Sequence, residues 1–511
     1  MSIDPDPPAW VSKRDGRLVP FDADRISRAL FAAGEAIGRP DAFLARELAD
    51  GVVHFVAMDS EGGTPTTARV AEVVEQVVRE LGQPELARAF ARQAIGKARV
   101  PQASRMAIAR QQTWRFTRDL ESARDAGLLI LPAHAPDLLS SGVLGPPTAD
   151  LVTDLRALRR LVGHAVALDG LESRVAGGVS CRDLAGQVAR SLEETNLEAR
   201  ANLNLAPPSW ADPVAAGPLF AGAEAGFDPA SLHAAADGLL DALLALNLPR
   251  FGIDWHLGAA DFEPGGAARL ERVLSLSLIG SPVAFVFDRP RRELSLGPGL
   301  DRRHPAVLLE VGLNLPALAR QAGLLADVDR FRQQLGTLVR LALSAATQKR
   351  DHVRQAERGA ELTSGFLLDR ARFVVVPVGL DEVVTQFTGW SMSGGGESLE
   401  LGRSLVRRLR EALDHDGRLA QMDCRLDGPA GFRLSGEAVA GLTPWDAGAS
   451  LRSQARAGSA LHAGNGAGSL ALFVGEDRAA LADALEGMWR QTEIVRVEVV
   501  SPRLAASESR R

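Results

Sequence analysis

Residues 11–26, VSKRDGRLVPFDADRI, decide the reading of the N-terminal fold. Two short alternating apolar runs flank Asp15–Gly16. An Asp-Gly pair between such runs is the strongest local signal for a β-hairpin, because both residues tolerate the backbone of a tight turn. Asp22 then stands where a helix N-cap belongs, and the segment 23–38 repeats apolar residues at Ile26, Leu30 and Ala33. Working outward, a second helix is predicted over Ala42–Ala57. Gly62, Gly63 and Pro65 break it, and Thr66 or Thr67 caps a third helix, TARVAEVVEQVVREL. Pro84 opens a fourth, which ends near Pro101. The reading is a hairpin plus four helices within about a hundred residues.

This arrangement carries cations on separate elements. Lys13 and Arg14 occupy adjacent hairpin positions, Arg25 lies in the first turn of the first helix, Thr67 at the start of the third and Lys97 near the end of the fourth. A polyphosphate needs cations and donors converging in this way. The chain has only three lysines, Lys13, Lys97 and Lys349, and takes its remaining positive charge from arginine. Two of the three therefore fall on the candidate site, where a compact ammonium differs from a guanidinium in shape and hydration.

The 511 residues are 46% hydrophobic and 24% charged with a net charge of −6, the profile of an ordinary globular protein of several domains. Acidic and basic residues are interleaved and no polybasic stretch stands out, so DNA is not an expected partner. The N-terminus lacks the features of a signal peptide, and the longest apolar stretch, around Leu274–Phe287, is too short to span a bilayer. A cytoplasmic protein with no membrane contact is expected. The two cysteines, Cys181 and Cys424, are far apart and suit neither a disulfide framework nor a thiolate zinc site. There is no tyrosine.

Beyond Arg105, short apolar runs read as buried strands: LILPA, AFVFD, AVLLEVGLNL, RFVVVPVGL, SLALFVG and IVRVEVV. Amphipathic helices lie between them, among them Ala317–Val353 and Ser398–Gly417. Such alternation predicts an α/β architecture with a partly parallel sheet or barrel. The expected organisation is a loose tail at 1–9, a small domain over 10–100, a large α/β domain over 105–502 and a polar tail at 503–511.

The segments VSKRDGRLVPFDADRI, PTTARVAEVVEQVV and LARAFARQAIGKAR together resemble the ATP-cone family, the allosteric ATP/dATP module found at the N-terminus of many ribonucleotide reductases. The resemblance implies a nucleotide site lined by Val11, Lys13, Arg14, Asp22, Arg25, Thr67 and Lys97. Arg25 stands where the family commonly has lysine, and Arg99 is an alternative to Lys97 as the last cation. It also implies ATP or dATP as ligand, with or without Mg2+, and a homo-oligomer formed through the cone. Val19 replaces a polar residue found in some relatives, which leaves selectivity between ATP and dATP open.

The rest of the chain resembles, in rhythm more than identity, the barrel of anaerobic, glycyl-radical ribonucleoside-triphosphate reductases. GLNLP (312–316) and VGLDEVV (378–384) are its better pieces. That chemistry requires a glycine in a C-terminal RxxGY-like segment, four zinc-binding cysteines and a thiyl-forming cysteine ahead of GLNLP. SPRLAASESRR holds no glycine, no cysteine follows position 424, and residues 291–310 hold none. The expectation is a nucleotide-sensing regulatory or inactive homologue without a zinc site and without catalytic residues. The alternative is an active anaerobic-type reductase with an unusual radical source.

Four further features have bland readings. Cys181 sits at a loop-to-helix junction, where the helix N-terminus and Arg182 would lower its pKa if it were a displaced catalytic thiol; a structural thiol is the plainer reading. Asp254 and His256 share a strand face and suggest an acid–base pair, or a satisfied structural one. SGGGES (393–398) lacks the form of a phosphate loop and reads as a turn. Trp210, amid prolines, reads as part of an ordered loop.

Overall fold

The computed structural model describes residues 8–13, 18–60, 64–96, 116–131, 138–140, 165–205, 228–355, 371–427 and 441–500, apart from interruptions of one to three residues inside the later ranges. The chain divides into two compact units, residues 1–129 with 337–348, and residues 130–336 with 349–511.

In the first unit, Trp10–Ser12 pairs antiparallel with Leu18–Pro20. Four helices follow: α1 (Ala23–Ala36), α2 (Ala42–Ser60), α3 (Thr67–Glu80) and α4 (Pro84–Gly96). Asp22 caps α1 by accepting from the amide of Asp24. Thr66, not Thr67, caps α3, with its side chain accepting from the amide of Arg69. Helix α3 buries Val73, Val74, Val77 and Val78, the three- and four-residue spacing of one helical face. Leu30, Val52, Val78 and Ala87, one from each helix, are fully buried and form the core.

The second unit is built on one sheet. Leu138–Ser140, Ala165–Leu168, Glu198–Leu203, Phe251–Leu257 and Val283–Phe287 are parallel neighbours in that order. At one edge of this group Leu138–Ser140 pairs antiparallel with Ala306–Asn314, which continues in parallel to Arg372–Val378 and Asp423–Leu426. At the other edge Val283–Phe287 pairs antiparallel with Arg496–Val500, which continues in parallel to Ser469–Phe473. Two groups of five strands thus run in opposite directions. The outermost strands are stitched by a side chain: Asp427, directly after Asp423–Leu426, accepts from the amide of Ser469 at 2.9 Å. This seam closes the sheet into a barrel.

Alternation sorts the strand residues. Val166 and Leu168 join Ala199, Ala201, Ile253, Trp255 and Val497 in the outer core beneath the helices. Ala165 and Ala167 face inward, with Val307, Val374, Val376 and Val378 from the opposing group. The space between is filled by a hairpin, Ser295–Gly297 paired with Leu300–Asp301, whose Leu296 and Leu300 are almost fully buried in that inner cluster. The stretch Ala317–Val353, predicted as one helix, is two: Leu315–Ala319 and Val328–Gln355. The short strands Leu138–Ser140, Ala165–Leu168, Glu198–Leu203 and Asp423–Leu426 add to those predicted.

Candidate functional site

The hairpin of the first unit is docked on the entry to α3. Ser12 forms a parallel bridge with Thr66, and its amide donates to the carbonyl of Pro65 at 2.9 Å. The next residue, Lys13, is thereby carried to the N-terminus of α3. There the first helical amides have no intrahelical partner and the helix dipole favours an anion. Thr67, at the first helical position, is exposed on this end, and Lys13 is half-buried. The backbone thus sets Lys13 next to the start of α3.

Asp22 and Arg25 form a second cluster. Trp10 lies opposite Pro20 and Ser12 opposite Leu18, so Lys13 is at the turn end of the hairpin and Asp22 beyond its open end. Both oxygens of Asp22 are engaged: one takes the Asp24 amide, the other Arg28 at 3.2 Å and Arg25 at 3.3 Å. Arg25 itself is largely solvent-exposed. Val11 is buried opposite Val19 and packs into the core rather than facing solvent. Arg14, Lys97 and Arg99 lie outside the described residues. The structure therefore brings Asp22 to Arg25 and bridges Ser12 and Thr66, the chain neighbours of Lys13 and Thr67.

In the second unit, inward-facing positions of the adjacent strands Glu198–Leu203 and Phe251–Leu257, and of Arg496–Val500 beyond Val283–Phe287, carry a polar layer. Asp254 is wholly buried between Arg200, at 2.7 Å, and Arg496, at 3.0 Å, and Arg496 also reaches Glu498 at 2.6 Å. Burial alone would push the Asp254 carboxyl up, but the two guanidinium groups outweigh it and hold it well below the usual carboxylate range. His256 does not pair with Asp254. Its Nδ1 lies 2.8 Å from Asp288 and its Nε2 3.0 Å from the side-chain oxygen of Asn202. The Asn202 amide donates to Asp169 and to the Leu296 carbonyl, which fixes its oxygen toward the histidine. Both ring nitrogens thus face acceptors, an arrangement that favours the charged ring. Burial opposes that charge, yet Asp288 outweighs it and raises the pKa.

The remaining candidates are structural. Burial pushes the Cys181 thiol up, against the lowered pKa that a catalytic thiol at a helix start would have, and its Sγ packs on Gly238. Burial, followed by nearby aspartates, pushes Cys424 up to about 12; its Sγ lies against Gly417 of helix Gly396–Leu419. Burial also lowers the Lys349 ammonium well below its ordinary value. In SGGGES, Gly395 and Gly396 adopt φ of 77° and 60° at the start of that same helix, and the Ser393 hydroxyl donates to Asp446 at 2.7 Å. Trp210 lies outside the described residues. Among the described residues no helix is long and apolar enough to cross a membrane, and no group of acidic, histidine or cysteine side chains has the form of a metal site.

The comparisons agree with this division. Residues 10–92 match the ATP cone domain. Over 74% of its length the chain is similar in fold to the anaerobic ribonucleotide reductase of Thermotoga maritima solved in complex with dATP and CTP, at TM-score 0.53 and 11% identity, covering 77% of that chain. The same enzyme with glycerol in its active site matches at TM-score 0.51 and 11% identity over 74% and 75% of the two chains. A further structure of an anaerobic ribonucleotide reductase matches at TM-score 0.51 and 10% identity, over 94% of this chain and 85% of that one. At these identities the likeness is one of fold. No curated protein matches the sequence.

Proposed function

We propose that this chain is a nucleotide sensor. Its cone takes ATP or dATP, and its reductase-type barrel does not carry out ribonucleotide reduction. The observation that carries the first part is the Ser12–Thr66 bridge, which sets Lys13 against the start of α3. The phosphate chain lies at that corner, with Lys13 as a point charge and the amides of Thr67 and Ala68, ahead of the capped Arg69 amide, as fixed donors. The nucleoside end extends along the hairpin toward Asp22 and Arg25, where the sugar hydroxyls compete for Asp22. Lys97 supplies a further cation from the end of α4, and Mg2+ accompanies the phosphates. Occupancy biases the shape or oligomeric state of the protein through differential affinity for its two forms.

The second part is supported by what fills the barrel. Hydrogen-atom abstraction at a ribose needs a sulfur radical inside the barrel, and residues 291–310, which supply the inserted hairpin, contain no cysteine. Leu296 and Leu300 occupy that interior instead, and the two cysteines pack on helices outside the sheet. The polar layer beside the hairpin is spent on its own ion pairs.

Equilibrium binding of ATP and of dATP to the full chain, with sedimentation velocity at each ligand concentration, tests the sensor. Saturable binding that weakens at least tenfold in Lys13→Ala, with a ligand-dependent change in sedimentation, is the expected result. Full affinity in Lys13→Ala would remove this site from the reading. Conversion of a ribonucleotide by the purified chain with an external radical source would overturn the second part.

A further inference from the structure

Beside the inserted hairpin lies a cavity of about 40 Å³, walled by the hairpin on one side and by the starts of the strands at Arg372, Ser469 and Arg496 on the other. Five arginines line it, at positions 289, 292, 372, 425 and 496, against four carboxylates. Three donors on this wall make no hydrogen bond: Nη2 of Arg372, Nε of Arg425 and Oγ of Ser469. Arg372 and Ser469 are 3% and 6% exposed, so these donors are cut off from bulk water. Nη2 of Arg372 has only a longer ionic contact, 3.7 Å to Glu293, and Nε of Arg425 one of 3.9 Å to Asp423.

Three of the four carboxylates of the wall are committed to hydrogen bonds, and the fourth, Glu293, makes the 3.7 Å contact with Arg372. Asp427 takes the amides of Gly299 and Ser469, one on each oxygen. Asp301 takes Arg372 and His304, and Glu493 takes the amide of Gly464. Arg289, also on the wall, donates to the carbonyls of Met488, Trp489 and Ile494 and has no carboxylate partner among the described residues. Arg496 is neutralised by Asp254 and Glu498, and Arg372 by Asp301 and Asp423, so what the wall has to spare is hydrogen-bond donors. Water would accept from these donors but would bring protons that themselves require acceptors, whereas an oxyanion only accepts. The volume holds roughly three or four waters, which is also the room needed by an anion of about five heavy atoms.

We propose that this cavity is a site for one small free oxyanion of the size of inorganic phosphate, held by Arg372, Arg425 and Ser469. The site is separate from the cone, and the anion locks the inserted hairpin to the strands of the second half-barrel.

Calorimetric titration of the full chain with inorganic phosphate, at ionic strength held constant with sodium chloride, tests this. One saturable site is expected in the wild type and equally in Lys13→Ala, which separates it from any phosphate taken by the cone. Ser469→Ala and Arg425→Met should each weaken binding about tenfold, the size of one hydrogen bond to a charged group. Ser469→Ala removes a hydroxyl with no protein partner, so its melting temperature without phosphate should match the wild type. Absence of a saturable site, or unchanged affinity in both variants, would overturn the proposal and leave the cavity to water.

Discussion

The guanidinium of Arg46 donates a hydrogen bond to the main-chain carbonyl of Arg340, 294 positions along the chain, at 2.8 Å. The same nitrogen pairs with Asp24, in the first turn of α1, and Arg340 in turn pairs with Asp50 of α2 at 2.7 Å. Arg46 is 4% exposed, so this charge has no access to water if its partners are lost. Residues 337–348 are thereby fastened to the first two helices of the cone, two residues from Asp22.

Asp24→Asn removes the counter-charge of a buried arginine. Leaving a buried charge unpaired costs about 3–5 kcal/mol. Urea unfolding should show a loss of that size for Asp24→Asn, and a smaller loss for Arg46→Met combined with Asp24→Asn, where no charge is stranded. Equal stability of the single variant and the wild type would show that the pair does not hold the unit together.

Thr66 caps α3 and bridges to Ser12 through its backbone. Thr66→Ala should destabilise the first unit by about 1 kcal/mol, and Thr66→Ser should restore it, because only the hydroxyl is used in the cap. Thermal unfolding of the three proteins measures this.

The raised pKa of His256 makes stability depend on pH. Its folded pKa is raised above 6.5, so the stabilisation is fully present below that value and is lost as pH rises through the folded pKa. The melting temperature of the second unit should fall as pH is raised from 6.5 through the folded pKa, and the fall should flatten in His256→Asn. A steeper loss on the acid side of pH 6, traced to His256 by that variant, would contradict the charge assignment.

Gly299 sits at the tip of the inserted hairpin with φ of 71°, and a Cβ there would lie 2.4 Å from Cγ2 of Val374. Gly299→Ala meets both backbone strain and a clash with a packed valine on a sheet strand. A loss of about 2–4 kcal/mol is expected, measured by chemical denaturation. A change below about 0.5 kcal/mol would mean that the hairpin tip is not seated against that strand.

Much of this protein is local information. The Asp15–Gly16 turn signal, the caps around Asp22 and Thr66 and the valine spacing of α3 each act over a few residues, which is why the hairpin and its four helices were legible. So were the long apolar strands Ala306–Asn314 and Arg372–Val378, whose faces are both covered. Ala165–Leu168 was not, since four small apolar residues carry no period that separates strand from helix.

By itself, then, the sequence determined the elements, their alternation and the cations offered by the cone, because capping, turn chemistry and periodicity are settled between near neighbours. The tertiary structure decided which charges meet. Asp254 and His256 share a face, but Arg200 from the adjacent strand and Arg496 from a strand 242 positions away claim the aspartate, and Asp288 takes the histidine. Barrel closure through Asp427 and Ser469, and the filling of the interior by Leu296 and Leu300, are likewise contacts between distant segments, and no local pattern encodes which distant partner arrives.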